Sequence, residues 1–191
     1  MKGTTQAGRS PAATGKTDYV LGFAFAAKRT RVLLVMKQSP AWQRGKFNGV
    51  GGKVEPEEYV TEAMSREFRE ETGLHVRREL WGTVAELIGP DYRVSVLAAD
   101  LEAEHPPYKP TELVGWYGCD GVAALPVVAN LPVLLLAARR GAYDLTGDGD
   151  FRVLRLEEVP PRELHAQRDL AGAEPRYDYQ AAGVDGKTVK P

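Results

Sequence analysis

Glu67, Glu70 and Glu71 stand at i, i+3 and i+4, so a helix would bring three carboxylates onto one face, one turn apart. Uncompensated, such a cluster costs roughly some tenths of a kcal/mol per pair in water, and more where partly buried. A cation is the natural compensator, and an all-oxygen ligand set selects a hard ion, Mg²⁺ or Mn²⁺, over zinc. These acids close a run of seven carboxylates in the seventeen positions from Glu55 to Glu71, in a chain whose net charge is only −1. Glu-rich helices commonly present a plain solvated face, but three neighbouring features favour a site. Ala63 and Phe68 are the residues nearest this face that can pack on a sheet, which turns Glu67 and Glu71 toward a rim or cleft. Arg66 lies beside the cluster and two turns beyond Glu58, placed to bracket and orient the ligands. Gly51 and Gly52 let the preceding loop come close and offer its amides to an anion.

The elements that must hold these residues are marked in the chain. Pro56 suits a helix start and Gly73 a left-handed stop, so the spacing predicts a helix over 57–71. A second helix is expected over 131–140, "LPVLLLAARR", with proline in its first turn and two arginines in its last. Short β-rich runs bounded by turn residues recur at 19–27, 31–37, 80–87, 93–101, 114–119 and 151–156, several alternating in polarity. Strands of mixed connection with helices packed on the sheet predict an α/β or α+β sandwich.

With 191 residues, 43% hydrophobic and 27% charged, the chain reads as one soluble domain with tails. The expected divisions are a flexible tail over 1–18, a folded domain over 19–166 and a flexible C-terminal tail over 167–191. Near-zero net charge argues against a general electrostatic grip on nucleic acid or membrane, so a polyanionic partner needs a local device. The lone Cys119 fits a reducing cytosol and reads as a small apolar filler. Within residues 1–18 no apolar stretch follows the first lysine, and no later tract spans a bilayer, so a cytoplasmic protein, monomeric or homodimeric, is expected. His75, His105 and His165 lack ligand spacing and are expected at the surface; "DLTGDGD" at 144–150 hints at a calcium loop but lacks the later glutamate and reads as a hairpin turn.

The segment from Gly52 to Leu74 resembles the signature of the Nudix hydrolase family, through Gly52, Glu58, Arg66, Glu67, Phe68, Glu70, Glu71, Gly73 and Leu74. Phe68 is larger than the family's usual aliphatic residue, and Glu57 stands where the family often has glycine, which implies a looser turn into the helix. The resemblance implies a β-sheet sandwiched by helices, α/β/α, and hydrolysis of a nucleoside diphosphate linked to a further moiety. It also implies that Glu67, Glu70 and Glu71 are ligands of Mg²⁺, or Mn²⁺, with Gly52 adding a donor and Glu58 and Arg66 in support. Such ions would let an acidic cleft accept an anionic phosphoanhydride.

Resemblance to the MutT-like branch, whose members include hydrolases of oxidised purine triphosphates, extends into the flanks. Asn48 falls at a base-contacting position and Lys37 near the phosphates, with Gly51, Gly52 and Lys53 as further substrate contacts. Asn can pair bidentately with a purine edge, though "NG" is also a common turn. Asn130 matches a purine-recognising asparagine and equally suits a helix N-cap. Glu112 falls where such enzymes keep an extra carboxylate that binds metal or helps take the water's proton. Pro90 and Tyr92, after the signature, resemble markers of ADP-ribose and diadenosine polyphosphate hydrolases respectively, in a "GPDY" that is also an ordinary turn. A nucleotide sensor without hydrolytic activity is the remaining reading, though such domains usually lose part of an acidic set that is complete here.

Overall fold

The computed structural model describes residues 15–108, 113–140, 154–159 and 178–182. Nine strands form one mixed sheet: β1 (Thr17–Ala26), β2 (Arg31–Met36), β3 (Phe47–Asn48), β4 (Val50–Lys53), β5 (Gly82–Ile88), β6 (Tyr92–Asp100), β7 (Leu113–Gly118), β8 (Leu154–Val159) and β9 (Asp178–Ala182). Helix α1 (Val60–Thr72) and helix α2 (Leu131–Arg140) complete the frame.

β1 is the hub. One edge runs parallel to β6 from Thr17↔Tyr92 to Phe25↔Asp100. The other edge is divided: its second half pairs antiparallel with β2 at Phe25↔Val32 and Ala26↔Arg31, and its first half with β4 from Tyr19↔Lys53 to Gly22↔Val50. β2 therefore leaves β1 midway, pairing onward with β3 and β7, and the sheet opens where the two part company.

Two apolar layers lie on the two faces. Ala63, Met64 and Phe68 of α1 pack with Val20, Leu33, Val35, Trp81 and Leu97; Leu131, Leu134, Leu135 and Ala138 of α2 pack with Phe23, Phe25, Val32, Leu34 and Val96. Alternate residues of β2 thus face opposite helices, as the two-residue period of a strand requires. The result is the expected α/β/α sandwich. Phe68 is fully buried, its ring centroid 5.3 Å from that of Trp81, so the bulky departure from the family pattern fills the layer under α1.

Two local expectations at the entry to α1 are revised. The first helix begins at Val60 and not at 57, because Pro56 serves as a corner residue of a turn in which Glu58 N donates to Glu55 O at 3.1 Å. Glu57 takes a left-handed φ of 65°, so the turn is as tight as one with glycine and the residue carries the strain. Gly73 ends the helix at φ 73° as expected, and β9, inside the segment read as a tail, adds an antiparallel strand to the open edge of β8. The 144–150 segment, His165 and Glu112 lie outside the described residues.

Candidate active site

Arg66 organises the acidic face of α1. Its Nε and Nη2 donate to the two carboxylate oxygens of Glu58 at 2.9 and 2.8 Å, a bidentate fork from the helix back to its entry turn. Nη1 reaches Glu67 at 2.7 Å and Glu70 at 3.4 Å, and Nη2 also donates to the carbonyl of Lys53 at 3.0 Å. One guanidinium thereby ties the helix to the end of β4. The hydrogen bond from Arg66 holds the Glu58 carboxyl below the usual carboxylate range, and the fork raises the guanidinium still further above neutrality. Glu58 has a second task, accepting Glu55 N at 3.0 Å in the entry turn.

Glu67 lies against the glycine pair. A Cβ built on Gly52 would run into the Glu67 carboxyl carbon and both its oxygens, so only glycine lets this carboxylate lie along the strand. At Gly51 a Cβ would strike the carbonyl of Val20 across the β1–β4 ladder. The glycines are thus required by close approach on two sides of one strand.

Glu71, in the last turn of α1, accepts a hydrogen bond from Lys37 Nζ at 2.7 Å. Lys37 follows β2, and its side chain is 11% exposed against 16% for Glu71. Among the described residues no three acidic, histidine or cysteine side chains converge as a ready metal cage. Instead Glu67 is held by Arg66 and Glu71 by Lys37, while Glu70, at 54% exposure, reaches into solvent. The chemistry of the donors nevertheless fits a hard divalent ion: all are oxygens, on one helix face, beside a glycine cradle that a methyl group would fill.

Beside the acids a cleft of about 960 Å³ opens at the parting of β2 and β4. Lys37, Asn48, Gly51 and Asn130 line it, whereas the three glutamates do not. Asn48 and Asn130, far apart in the chain, meet because Phe47 N donates to Pro126 O at 2.7 Å and Val128 N to Phe47 O at 3.1 Å. Asn48 Oδ1 accepts Gly49 N at 2.9 Å and its Nδ2 donates to Gln43 Oε1 at 3.2 Å, so its amide orientation is set by the protein itself. Asn130 opens α2, its carbonyl accepting Leu134 N at 3.1 Å.

Sequence reasoning missed the aromatic side of the cleft. Tyr19 and Trp42 line it, Trp42 being 48% exposed on a single 3₁₀ turn, Ala41–Gln43. A lone tryptophan within the polar run 38–46 was the available signal. Tyr92, considered only as a specificity marker, lines the same cleft together with Asp91. Elsewhere Cys119 is buried, and burial pushes its thiol up, as befits an inert filler; His75 and His105 are exposed.

The structure is thus a mixed sheet between two helices, with an arginine-bound acidic helix behind a glycine pair. The profile of the NUDIX domain family matches residues 16–131, and the chain belongs to that family as a Nudix pyrophosphohydrolase. Such hydrolases are generally dependent on a divalent metal. Among solved structures the chain is similar to a mutator MutT protein from Bacillus halodurans, with 22% identity, TM-score 0.56, and coverage of 75% of this chain and 91% of that one. It is similar as well to MutT from Aliivibrio salmonicida and Vibrio cholerae (21% identity, TM-score 0.56, 65% of this chain and 98% of that one). A third likeness is the NUDIX domain of Shewanella oneidensis NrtR, complexed with ADP ribose (16% identity, TM-score 0.56, 68% and 90%). The chain spans 46% of a MutT/nudix family protein from Enterococcus faecalis, at a TM-score of 0.49. At these identities the likenesses establish the fold. No curated protein sequence matches the chain. No helix among the described residues is long and apolar enough to cross a membrane.

Proposed function

We propose that the protein is a cytoplasmic Mg²⁺-dependent hydrolase of MutT type, cutting a purine nucleoside triphosphate, canonical or oxidised, to the monophosphate and pyrophosphate. Water adds at one phosphorus as the anhydride P–O bond breaks, and pyrophosphate leaves. The observation that carries this reading is Lys37, which bonds Glu71 and also lines the cleft, so that acids and cleft form one continuous site. Glu67, Glu70 and Glu71, with the Gly52 carbonyl and Glu112, would hold the ion. Bound there, the ion would neutralise the diphosphate, polarise the phosphorus and lower the pKa of the attacking water. Arg66 keeps Glu58 ionised and orients both Glu58 and Glu67, while Gly51, Gly52 and Lys53 border the phosphates. Asn48 and Asn130 address the base, with Trp42 and Tyr19 offering flat apolar faces for stacking.

A second reading, hydrolysis of ADP-ribose or a diadenosine polyphosphate, is favoured by Tyr92, which lines a cleft roomy enough for a second nucleoside. Purified protein with Mg²⁺ and a panel of canonical and oxidised dNTPs, ADP-ribose and diadenosine polyphosphates separates the two. Pyrophosphate release from a purine triphosphate is expected; AMP from ADP-ribose alone would overturn the substrate assignment. Unchanged turnover in Glu71→Gln would remove the carboxylate from catalysis.

A further inference from the structure

Lys37 and Glu71 are 34 residues apart and meet through the fold, not through local spacing. The Lys37 backbone is fixed by two bonds, its N–H to Lys46 O at 3.0 Å and its carbonyl from Gly45 N at 2.9 Å, so the stem of the side chain starts from a rigid point. Both side chains are largely withdrawn from water, where a carboxylate without a cation is costly and an ammonium beside a divalent ion is repelled. Arg66 is held by several acceptors at once and has a planar fork; Lys37 has a flexible four-carbon stem that can turn away. Lys37 also lines the cleft, which provides a destination for the displaced charge.

We infer that Lys37 is the built-in counterion of Glu71: it holds this carboxylate until a divalent ion takes it over, and its released ammonium then meets the polyphosphate in the cleft. Ion and substrate binding are thereby coupled through one side chain. The inference rests on the reading of Glu71 as an ion ligand.

Mn²⁺ binding, followed by the electron paramagnetic resonance signal of the free ion, tests both. Without nucleotide, Lys37→Met binds Mn²⁺ roughly tenfold more tightly than wild type, the size of one charge-assisted hydrogen bond that no longer has to be broken. A non-hydrolysable purine triphosphate analogue tightens Mn²⁺ binding in wild type and does so less in Lys37→Met. Arg44→Met removes an equal charge from the same cleft, where Arg44 Nε bonds the Gln38 carbonyl, and leaves Mn²⁺ affinity within about twofold. Lys37→Arg retains a cation and shows no tightening, a comparison that holds if the methionine variant fails to fold. Unchanged or weaker binding in Lys37→Met, or equal tightening in Arg44→Met, overturns the inference while the ion site stands. Wild-type Mn²⁺ binding by Glu71→Gln overturns the ion-ligand reading itself.

Discussion

Replacing Arg66 by methionine keeps an apolar stem of similar length and removes the charge that Glu58, Glu67 and Glu70 share. Breaking a fully buried ion pair costs about 3–5 kcal/mol, since the surviving partner is left buried and uncompensated. Here the side chains are 26% exposed for Arg66, 16% for Glu58 and 15% for Glu67, so water can reach the abandoned carboxylates in part. A loss of about 2–3 kcal/mol is therefore expected, or roughly 5–10 °C in Tm for a chain of this size. The loss has a pH signature. Glu58 is held below its usual 4.5 by the fork, so its contribution is present above that value and disappears as pH falls through the lowered folded value. The Tm gap between wild type and Arg66→Met should be widest near neutrality and narrow steadily below 4.5, in thermal scans with a chelator present. A gap of under about 1 °C, or one of equal size at about pH 7 and pH 3, would refute the claim that this guanidinium balances ionised acids.

Gly52→Ala should preserve the fold but push Glu67 off its strand, lowering kcat about a hundredfold, with circular dichroism confirming the structure and steady-state kinetics reading the loss. Glu57→Gly relieves the left-handed φ at the entry turn and, after the entropy glycine adds to the unfolded chain, should stabilise by about 0.5–1 kcal/mol in urea titrations. Asn48→Ala strands Gln43 Oε1 and the Gly49 N–H, so a stability loss of about 1–2 kcal/mol is expected in the same titrations. The KM for a purine triphosphate should rise about tenfold in that variant, and an unchanged KM would leave Asn48 with a structural role only.

Contacts set by helical spacing were legible in the chain. Arg66, Glu67 and Glu70 lie within two turns of α1 and helix geometry brings them together, whereas Glu58, eight positions before Arg66, meets it from the entry turn ahead of the helix. The helix start was misjudged by three residues because proline's fixed φ suits both a first helical turn and the corner of a β-turn; the choice fell to Glu57, whose conformation no propensity predicts. Lys37 and Asn130 were singled out by resemblance, but the ion pair of Lys37 with Glu71 and the placing of Asn130 and Asn48 on one cleft depend on strand register. Register is decided by the whole sheet, and a single sequence shows only its alternation. Trp42 escaped notice because it sits in an irregular loop without periodicity, where exposure is decided by the path of the surrounding backbone. The strand β9 was hidden by a polar composition, since an edge strand gains mainly from backbone pairing.

The divided edge of β1 separates two duties mechanically. The acidic helix is anchored to β4 through Arg66 and the Lys53 carbonyl, whereas Trp42 and Gln43 ride on the hairpin beyond β2, on the opposite bank of the fissure. Rebuilding that hairpin would leave the ladder between β1 and β4 intact. The bank that carries Trp42 and Gln43 can therefore be remade while the bank that carries the acidic helix stays as it is.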